Sequence, residues 1–221
     1  MTINKQKRFA QMGDFDHVLE HTDFQDPENE KPKSRWHEQI FENSNPITLE
    51  LACGTGTYAV ELARRNPERN YIGIDIKGAR MWKGARKTEA EELGNVRFLR
   101  IFIDHLNQYF GRGEVDEIWM TFPDPFPRGG DRSRRLTSPK FLKLYENVLP
   151  KGGLVHLKTD DTQFYDYTQR SVKKYGGKVF RKVDDIYKSC PDDELLTIKT
   201  VFEEKHLSRQ RTISYCNFAI N

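Results

Sequence analysis

The chain reads as an α/β protein built on a mainly parallel sheet with helices on both faces. Three observations predict this. Short apolar runs alternate with longer segments of helical period from residue 47 onward, a glycine-rich turn joins the first run to the first helical segment, and the last two apolar runs are separated only by a long polar stretch.

Taken in order, residues 47–51 are a buried strand, and 58–65 a helix stopped by Asn66-Pro67. Residues 71–75 form the second strand, and 77–93 a helix closed by Gly94. Segments 96–103 and 117–122 are the third and fourth strands, with a short helix at 105–110 between them. Residues 139–148 are helical, because Ser138 can cap the free amides and Pro139 suits the first helical position. A Pro150-Lys151-Gly152-Gly153 turn leads to a fifth strand at 154–158 and a helix at 162–174. The tail carries two more strands, 178–183 and 212–220. Their connection, 184–211, exceeds ordinary loop length, so it is expected to be either functional or mobile. Residues 1–46 are expected as an arm with one short helix. Its piece at 26–33 is rich in proline and charge, and Trp36, Ile40 and Phe41 are spaced to line one side of a helical turn. The arm is followed by a single domain at 47–221.

Composition narrows the function classes. A formal net charge of +3 is only mildly basic, so affinity for nucleic acid must come from clustering, as at Arg128 to Arg135. Cys53, Cys190 and Cys216 lie far apart without C-x-x-C spacing, and His21, His37, His105, His156 and His206 show no metal or triad spacing. No metal is expected. The charged first 14 residues lack the apolar core of a secretory signal, and no apolar run approaches the ~18 residues that span a bilayer. A cytoplasmic protein without membrane contact, a monomer or homodimer, is the expectation.

The stretch Thr121-Phe122-Pro123-Asp124-Pro125-Phe126-Pro127 runs directly into Arg128, Arg132, Arg134 and Arg135. Pro123 and Pro125 have fixed φ and no amide donor, so the strand cannot continue and Asp124 is held at its end. A lone carboxylate on a rigid bend beside spaced cations points to an enzyme acting on nucleic acid.

Gly54-Thr55-Gly56-Thr57-Tyr58-Ala59 sits where the first strand turns into the first helix and satisfies G-x-G-x-x-G/A, with Asp75 at about the ~20-residue interval where a ribose is held. The glycine loop alone does not separate NAD from S-adenosylmethionine. The strand ends do: Glu50, Asp75, Asp104, Asp124 and Asp160 are all acids, which repel a pyrophosphate and attract a sulfonium and an ammonium. Asp75 is assigned to the ribose and Glu50 to the ammonium side.

The segments L-E-L-A-C-G-T-G-T, N-Y-I-G-I-D, F-P-D-P-F-P with R-R-L-T, L-K-T-D and T-V-F-E resemble those of the bacterial tRNA (guanine-N7)-methyltransferases, from about Trp36 to the last strand. The resemblance implies a Rossmann-like class I methyltransferase fold, with a mainly parallel seven-stranded sheet and an antiparallel C-terminal strand. It also implies S-adenosylmethionine as donor and the variable-loop guanosine of tRNA as acceptor. Carried over residue by residue, it makes Asp124 catalytic and places Glu50, Asp75 and Asp124 at the cofactor, where the glycine loop adds Gly54 and Gly56 and Asp104 is expected as a substitute acid. Arg128, Asp160, Thr200, Val201, Phe202 and Glu203 fall at the substrate. Glu203, with Asp160 as second acceptor, would read the guanine's N1-H and amine, and Phe202 would stack on the base.

Two departures stand out. Phe102 occupies the position where the family carries a third-strand acid, with Asp104 two residues on and on the same side of an extended chain. Arg128-Gly129-Gly130-Asp131 replaces a more basic run. The competing readings are a non-catalytic RNA-binding protein on the same scaffold and an NAD-dependent oxidoreductase.

Overall fold

A computed structural model describes residues 4–21 and 31–220; the part of the proline- and charge-rich piece at 26–30 lies outside the described residues. An N-terminal helix α1 (Lys5–Ala10) leads to a short edge strand β1 (Val18–Glu20). The alternating body follows as β2 (Ile47–Leu51), α2 (Thr57–Arg65), β3 (Asn70–Ile74), α3 (Gly78–Ala90), β4 (Val96–Arg100), α4 (Leu106–Tyr109) and β5 (Glu117–Thr121). Then come α5 (Pro139–Val148), β6 (Leu154–Thr159), α6 (Thr162–Tyr175), β7 (Lys178–Val183), α7 (Ile186–Ser189), α8 (Val201–Leu207) and β8 (Ser214–Ala219).

The sheet has eight strands in the order β1-β4-β3-β2-β5-β6-β8-β7. All pairs are parallel except those of β8, which runs antiparallel to both β6 and β7. The seven strands expected from the sequence are present. The eighth comes from the N-terminal segment, where Val18, Leu19 and Glu20 pair with Phe98, Leu99 and Arg100. Three residues are too few for an alternation pattern to reveal.

Period-two alternation divides each strand between two apolar layers. Ile118 and Met120 of β5 face a core shared with Trp36, α5 and α6. Trp119 between them faces the other core, with Tyr58 and Ala59 of α2, Met81 and Trp82 of α3, and Met12 of the N-terminal segment. Leu196 and Ile198 also enter that second core, so the long 184–211 connection is anchored and carries two short helices. Trp36 and Phe41 are buried, as their spacing predicts.

Strand order reverses at β2, which has β3 on one side and β5 on the other, and such a switch point opens a crevice beyond the carboxyl ends of the strands. The third strand ends earlier than expected: after Arg100 the chain leaves the sheet and Ile103–His105 form a 3-10 turn. Phe102 and Asp104 are therefore not two residues of one extended strand, and the expectation built on their shared face does not hold.

Candidate active site

The crevice at the switch point is one cleft with two halves, of about 450 Å³ and 410 Å³, which share Ala52, Asp75, Lys77 and Asp124 as a common wall. The larger half is reached by the glycine loop, the proline bend and the start of α8. The smaller half is mainly apolar, with Ile76, Ile101, Phe102, Ile103, Leu136 and Phe141 around Asp104.

The glycine loop owes its shape to left-handed backbone at Ala52, Gly54 and Gly56, with φ of 57°, 57° and 67°. Gly56 has no alternative, since a Cβ there would lie 2.3 Å from Cε1 of Phe98. The Gly54 amide donates to Oδ2 of Asp75 at 2.9 Å, and the Lys77 amide donates to Oδ1 at 2.8 Å. Asp75 is thus clamped between the loop and the entry to α3. Each of its oxygens keeps a further lone pair for a ligand.

Glu50 is placed differently from the expectation of direct ligand contact. It is buried behind the cleft, accepting from the Ala59 amide at 2.9 Å and from the Thr121 hydroxyl at 2.8 Å, so it ties β2 to α2 and β5. Burial pushes its carboxyl up to about 7, against the two hydrogen bonds, and the neighbouring Asp75 charge adds to the rise.

The proline bend forms as the sequence predicts, with Phe122 and Phe126 in left-handed backbone at φ 53° and 43°. Its brace was not foreseen. Arg135 is buried, donates to the carbonyls of Pro125 at 2.8 Å and Phe126 at 3.1 Å, and lies 4.4 Å over the Tyr167 ring. It is therefore internal to the fold and absent from the exposed basic strip. Arg134 pairs with Asp131 and covers Phe126, which leaves Arg128 and Arg132 as the open cations of that strip. Asp124 projects from the bend into both halves of the cleft, exposed and without a hydrogen-bond or ion-pair partner among the described residues.

Thr200, Val201 and Phe202 close the larger half, and Val201 and Phe202 are more than half exposed at 58% and 57%. Glu203 does not join them. Its side chain is fully buried, with Lys158 Nζ 2.8 Å from either carboxylate oxygen and the Tyr187 hydroxyl donating at 2.8 Å. Thr200 and Glu203 also exchange the two bonds of a capping box at the start of α8. Direct reading of a base by Glu203 has no free oxygen to work with in this arrangement. Lys158, itself fully buried, donates a further bond to the Ile198 carbonyl at 2.9 Å, and burial holds its pKa below the usual lysine value against the pull of Glu203. A lysine inside the apolar run Leu154-Val155-His156-Leu157 was the available signal, because such a charge requires a buried partner. Asp160 lines neither half; its Oδ2 accepts from Arg211 at 2.7 Å and lies 2.9 Å from Nδ1 of His206.

Of the residues singled out from the sequence, Gly54, Asp75, Asp124, Thr200, Val201 and Phe202 line the larger half, and Asp104 lines the smaller one, paired there with Lys140. Glu50, Gly56, Arg128, Asp160 and Glu203 stand outside the lining. Sequence reading missed Lys158 and the inward, bracing role of Arg135, and also Arg8, Lys77, Arg80 and Lys83, which put four cations on the larger half. Among the described residues no group of three His, Cys, Asp or Glu is gathered to hold a metal ion, and no helix is long and apolar enough to cross a membrane.

Residues 44–216 match the Methyltransf_4 family, described as "Putative methyltransferase". The chain is similar to the tRNA (guanine-N(7)-)-methyltransferase of Porphyromonas gingivalis, with 48% identity over 85% of this chain and 77% of that one. It is 41% identical to the enzyme of the same name from Christiangramia forsetii over 98% of both chains. Among solved structures it superimposes on the 16S rRNA methyltransferase KamB with a TM-score of 0.66 at 17% identity, covering 85% of this chain and 93% of that one. TrmN from Thermus thermophilus gives 0.56 at 20% identity over 80% of this chain and 45% of that one. At those identities the two likenesses concern the fold.

Proposed function

This chain belongs to the tRNA (guanine-N7)-methyltransferase family, and from that premise we propose that it methylates N7 of a variable-loop guanosine in tRNA, with S-adenosylmethionine as donor and Asp124 at the reacting centre. The observation that carries the reading is the free carboxylate of Asp124 at the join of the two halves of the cleft. An oxidoreductase or a non-catalytic RNA binder is not favoured by this membership.

The donor set fits the cofactor. Asp75 retains lone pairs for a ribose diol, the apolar half beside Phe102, Ile103 and Phe141 suits a flat base, and the loop around Gly54 leaves open space at its Cα. Asp104, beside Lys140, would stand at the base end in place of the family's third-strand acid. Glu50 would act from behind, as a fixed acid that holds the first turn of α2 and so the glycine loop.

When bound, the cofactor supplies an electrophilic methyl group on a sulfonium. Guanine N7 has a lone pair and no proton, so this chain needs no general base, and its contribution is positioning and electrostatics. Asp124 orients the acceptor and favours the positive charge that develops on the purine. The exposed Phe202 ring offers a surface on which the base stacks, and the Thr200 hydroxyl can still donate although its oxygen caps α8. Asp160, whose Oδ1 takes no hydrogen bond among the described residues, is the acceptor assigned to the guanine's donors. Glu203 acts through the backbone of α8 as a positioning residue. Arg128 and Arg132 hold phosphates. A cytoplasmic location is part of the same proposal, in keeping with a tRNA substrate.

Labelled methyl transfer to tRNA lacking the modification, followed by nucleoside analysis, tests the reading. N7-methylguanosine is the expected product. A different methylated nucleoside, or no transfer to any tRNA, overturns it.

A further inference from the structure

The larger half of the cleft has a cationic wall that the reaction just described does not use. Lys77, Arg80 and Lys83 are exposed, follow one another at i, i+3 spacing and so lie on one face at the start of α3. None of the three has a salt bridge among the described residues. The next cations along the helix are engaged, since Arg86 lies 5.0 Å over Trp82 and Lys87 pairs with Glu61. The wall is continued by Arg8 of α1, whose guanidinium lies 5.2 Å from the centroid of the same Trp82 ring and whose Nε is buried without a hydrogen-bond partner among the described residues.

Four cations on one wall exceed what the donor requires. The amino-acid end of S-adenosylmethionine brings a single carboxylate together with an ammonium, and the ammonium is repelled by this wall. A row of cations at a helical rise of 1.5 Å per residue extends about 9 Å from Lys77 to Lys83, long enough to serve more than one anionic group. The wall shares the larger half of the cleft with Asp124 and Phe202, and the exposed Arg128 and Arg132 follow the proline bend that carries Asp124. Cations along the cleft wall, with more just past the bend that holds Asp124, match a polyanion that runs over them with one nucleotide drawn in.

We propose that Lys77, Arg80 and Lys83, with Arg8, form a second phosphate-binding track that holds the tRNA backbone on the α1 and α3 side of the cleft. The inference rests on the tRNA reading above and adds to it a specific surface. Arg80 and Lys83 carry the track outward, and Lys77 links it to the Asp75 clamp. Because phosphate contacts carry no base information, this wall contributes affinity and register and leaves the choice of guanine to the pocket.

The test is the Arg80→Glu/Lys83→Glu variant, with Arg80→Gln/Lys83→Gln as the milder form, assayed for tRNA binding between 50 and about 300 mM salt and for steady-state methylation. Each phosphate contact contributes roughly 0.7 to 0.9 to the slope of log affinity against log salt. Loss of two contacts therefore lowers the slope by about 1.4 to 1.8 and weakens tRNA binding roughly 30-fold at 0.1 M salt, by the same relation. The glutamine form should show that loss, and the glutamate form more. The dissociation constant of S-adenosylmethionine, measured by calorimetry, should stay within about twofold. An unchanged tRNA slope in both variants overturns the proposal, and so does a selective loss of S-adenosylmethionine binding, which would assign the wall to the donor's carboxylate. If the unsubstituted protein binds and methylates no tRNA, the functional reading itself fails. Normal methylation by that protein with unaltered variants sinks only the track.

Discussion

The two walls of the cleft are built on different physics. The glycine-loop wall is closed by short-range backbone bonds: Gly54 and Lys77 amides meet Asp75, and the Ala59 amide meets Glu50, only nine residues away in sequence. The α8 wall depends on a buried ion pair between Lys158 and Glu203, 45 residues apart, and on Tyr187 from a third segment. The first wall can form as soon as β2, β3 and α2 come together. The second exists only after β6 is in the sheet and the 184–211 connection has docked. A buried pair of this kind contributes little net stability but makes geometry strict, because removing one partner strands the other charge. The substrate-facing wall is thus the one whose shape can be lost by a single change at a distance.

The largest effect is expected where the walls meet. Asp124→Ala removes one of the two carboxylates that, among the described residues, line both halves, and turnover should fall by about 10³-fold, in the range seen when a preorganised electrostatic group is deleted. Its exposure means that Tm should hardly move. Single-turnover methyl transfer measures the first quantity and thermal unfolding the second. Near-normal turnover would remove Asp124 from the reacting centre.

Breaking only the α8 wall should cost stability first. Lys158→Met leaves Glu203 buried without its cation, for a loss of about 3 to 5 kcal/mol, or a Tm drop on the order of 10 °C in a chain of this size. Lys158→Met/Glu203→Leu should regain most of that stability, since it removes both charges together. The KM for tRNA should nevertheless stay raised, as Thr200, Val201 and Phe202 lose their anchor, while donor affinity is preserved. A double variant with native KM for tRNA would show that the pair positions nothing.

The glycine-loop wall can be sharpened through pH. The Glu50 carboxyl is raised from 4.5 to about 7 in the fold, so between those values the native state holds a proton that the unfolded chain has released. Stability from this group is present below pH 4.5 and is lost as pH rises through about 7. Glu50→Gln can keep both bonds, accepting from Ala59 and donating to the Thr121 hydroxyl, without that penalty. Relative to the unsubstituted protein it should gain up to about 3 kcal/mol between pH 5 and pH 8, read from urea unfolding at the two pH values. A difference that does not change with pH would mean that Glu50 titrates normally.

This contrast also explains how far the sequence could be read. The parallel order, the glycine loop and the proline bend follow from local patterns, and the position of Gly54, Asp75 and Asp124 on the cleft is legible because each sits at a strand end that its own neighbours define. Lys158 stands as an oddity beside an apolar run, a signal the sequence reading does not take up, and its partner cannot be named without the fold. Glu203 was expected at the base because it follows Thr200 and Phe202 in a substrate-like segment, yet a capping box turns its side chain inward. The Lys77, Arg80 and Lys83 row was hidden because α3 is amphipathic, and cations on its outer face look like ordinary solvated charge until the cleft is seen.

The smallest expected effects separate bracing from phosphate contact within one run of arginines. Arg135 donates from two nitrogens to two carbonyls and covers an aromatic ring, a geometry that a lysine ammonium cannot reproduce. Arg135→Lys should therefore lower stability by about 1 to 2 kcal/mol through lost hydrogen bonds and reduce turnover, with the salt slope of tRNA binding unaltered. Arg132→Gln should do the reverse, leaving Tm in place and lowering that slope by roughly 0.7 to 0.9. If instead Arg135→Lys flattens the slope, the guanidinium must leave its two carbonyls when tRNA arrives. The bend that holds Asp124 would then be a moving part, and the rigidity that separates the two walls would be a property of the free protein alone.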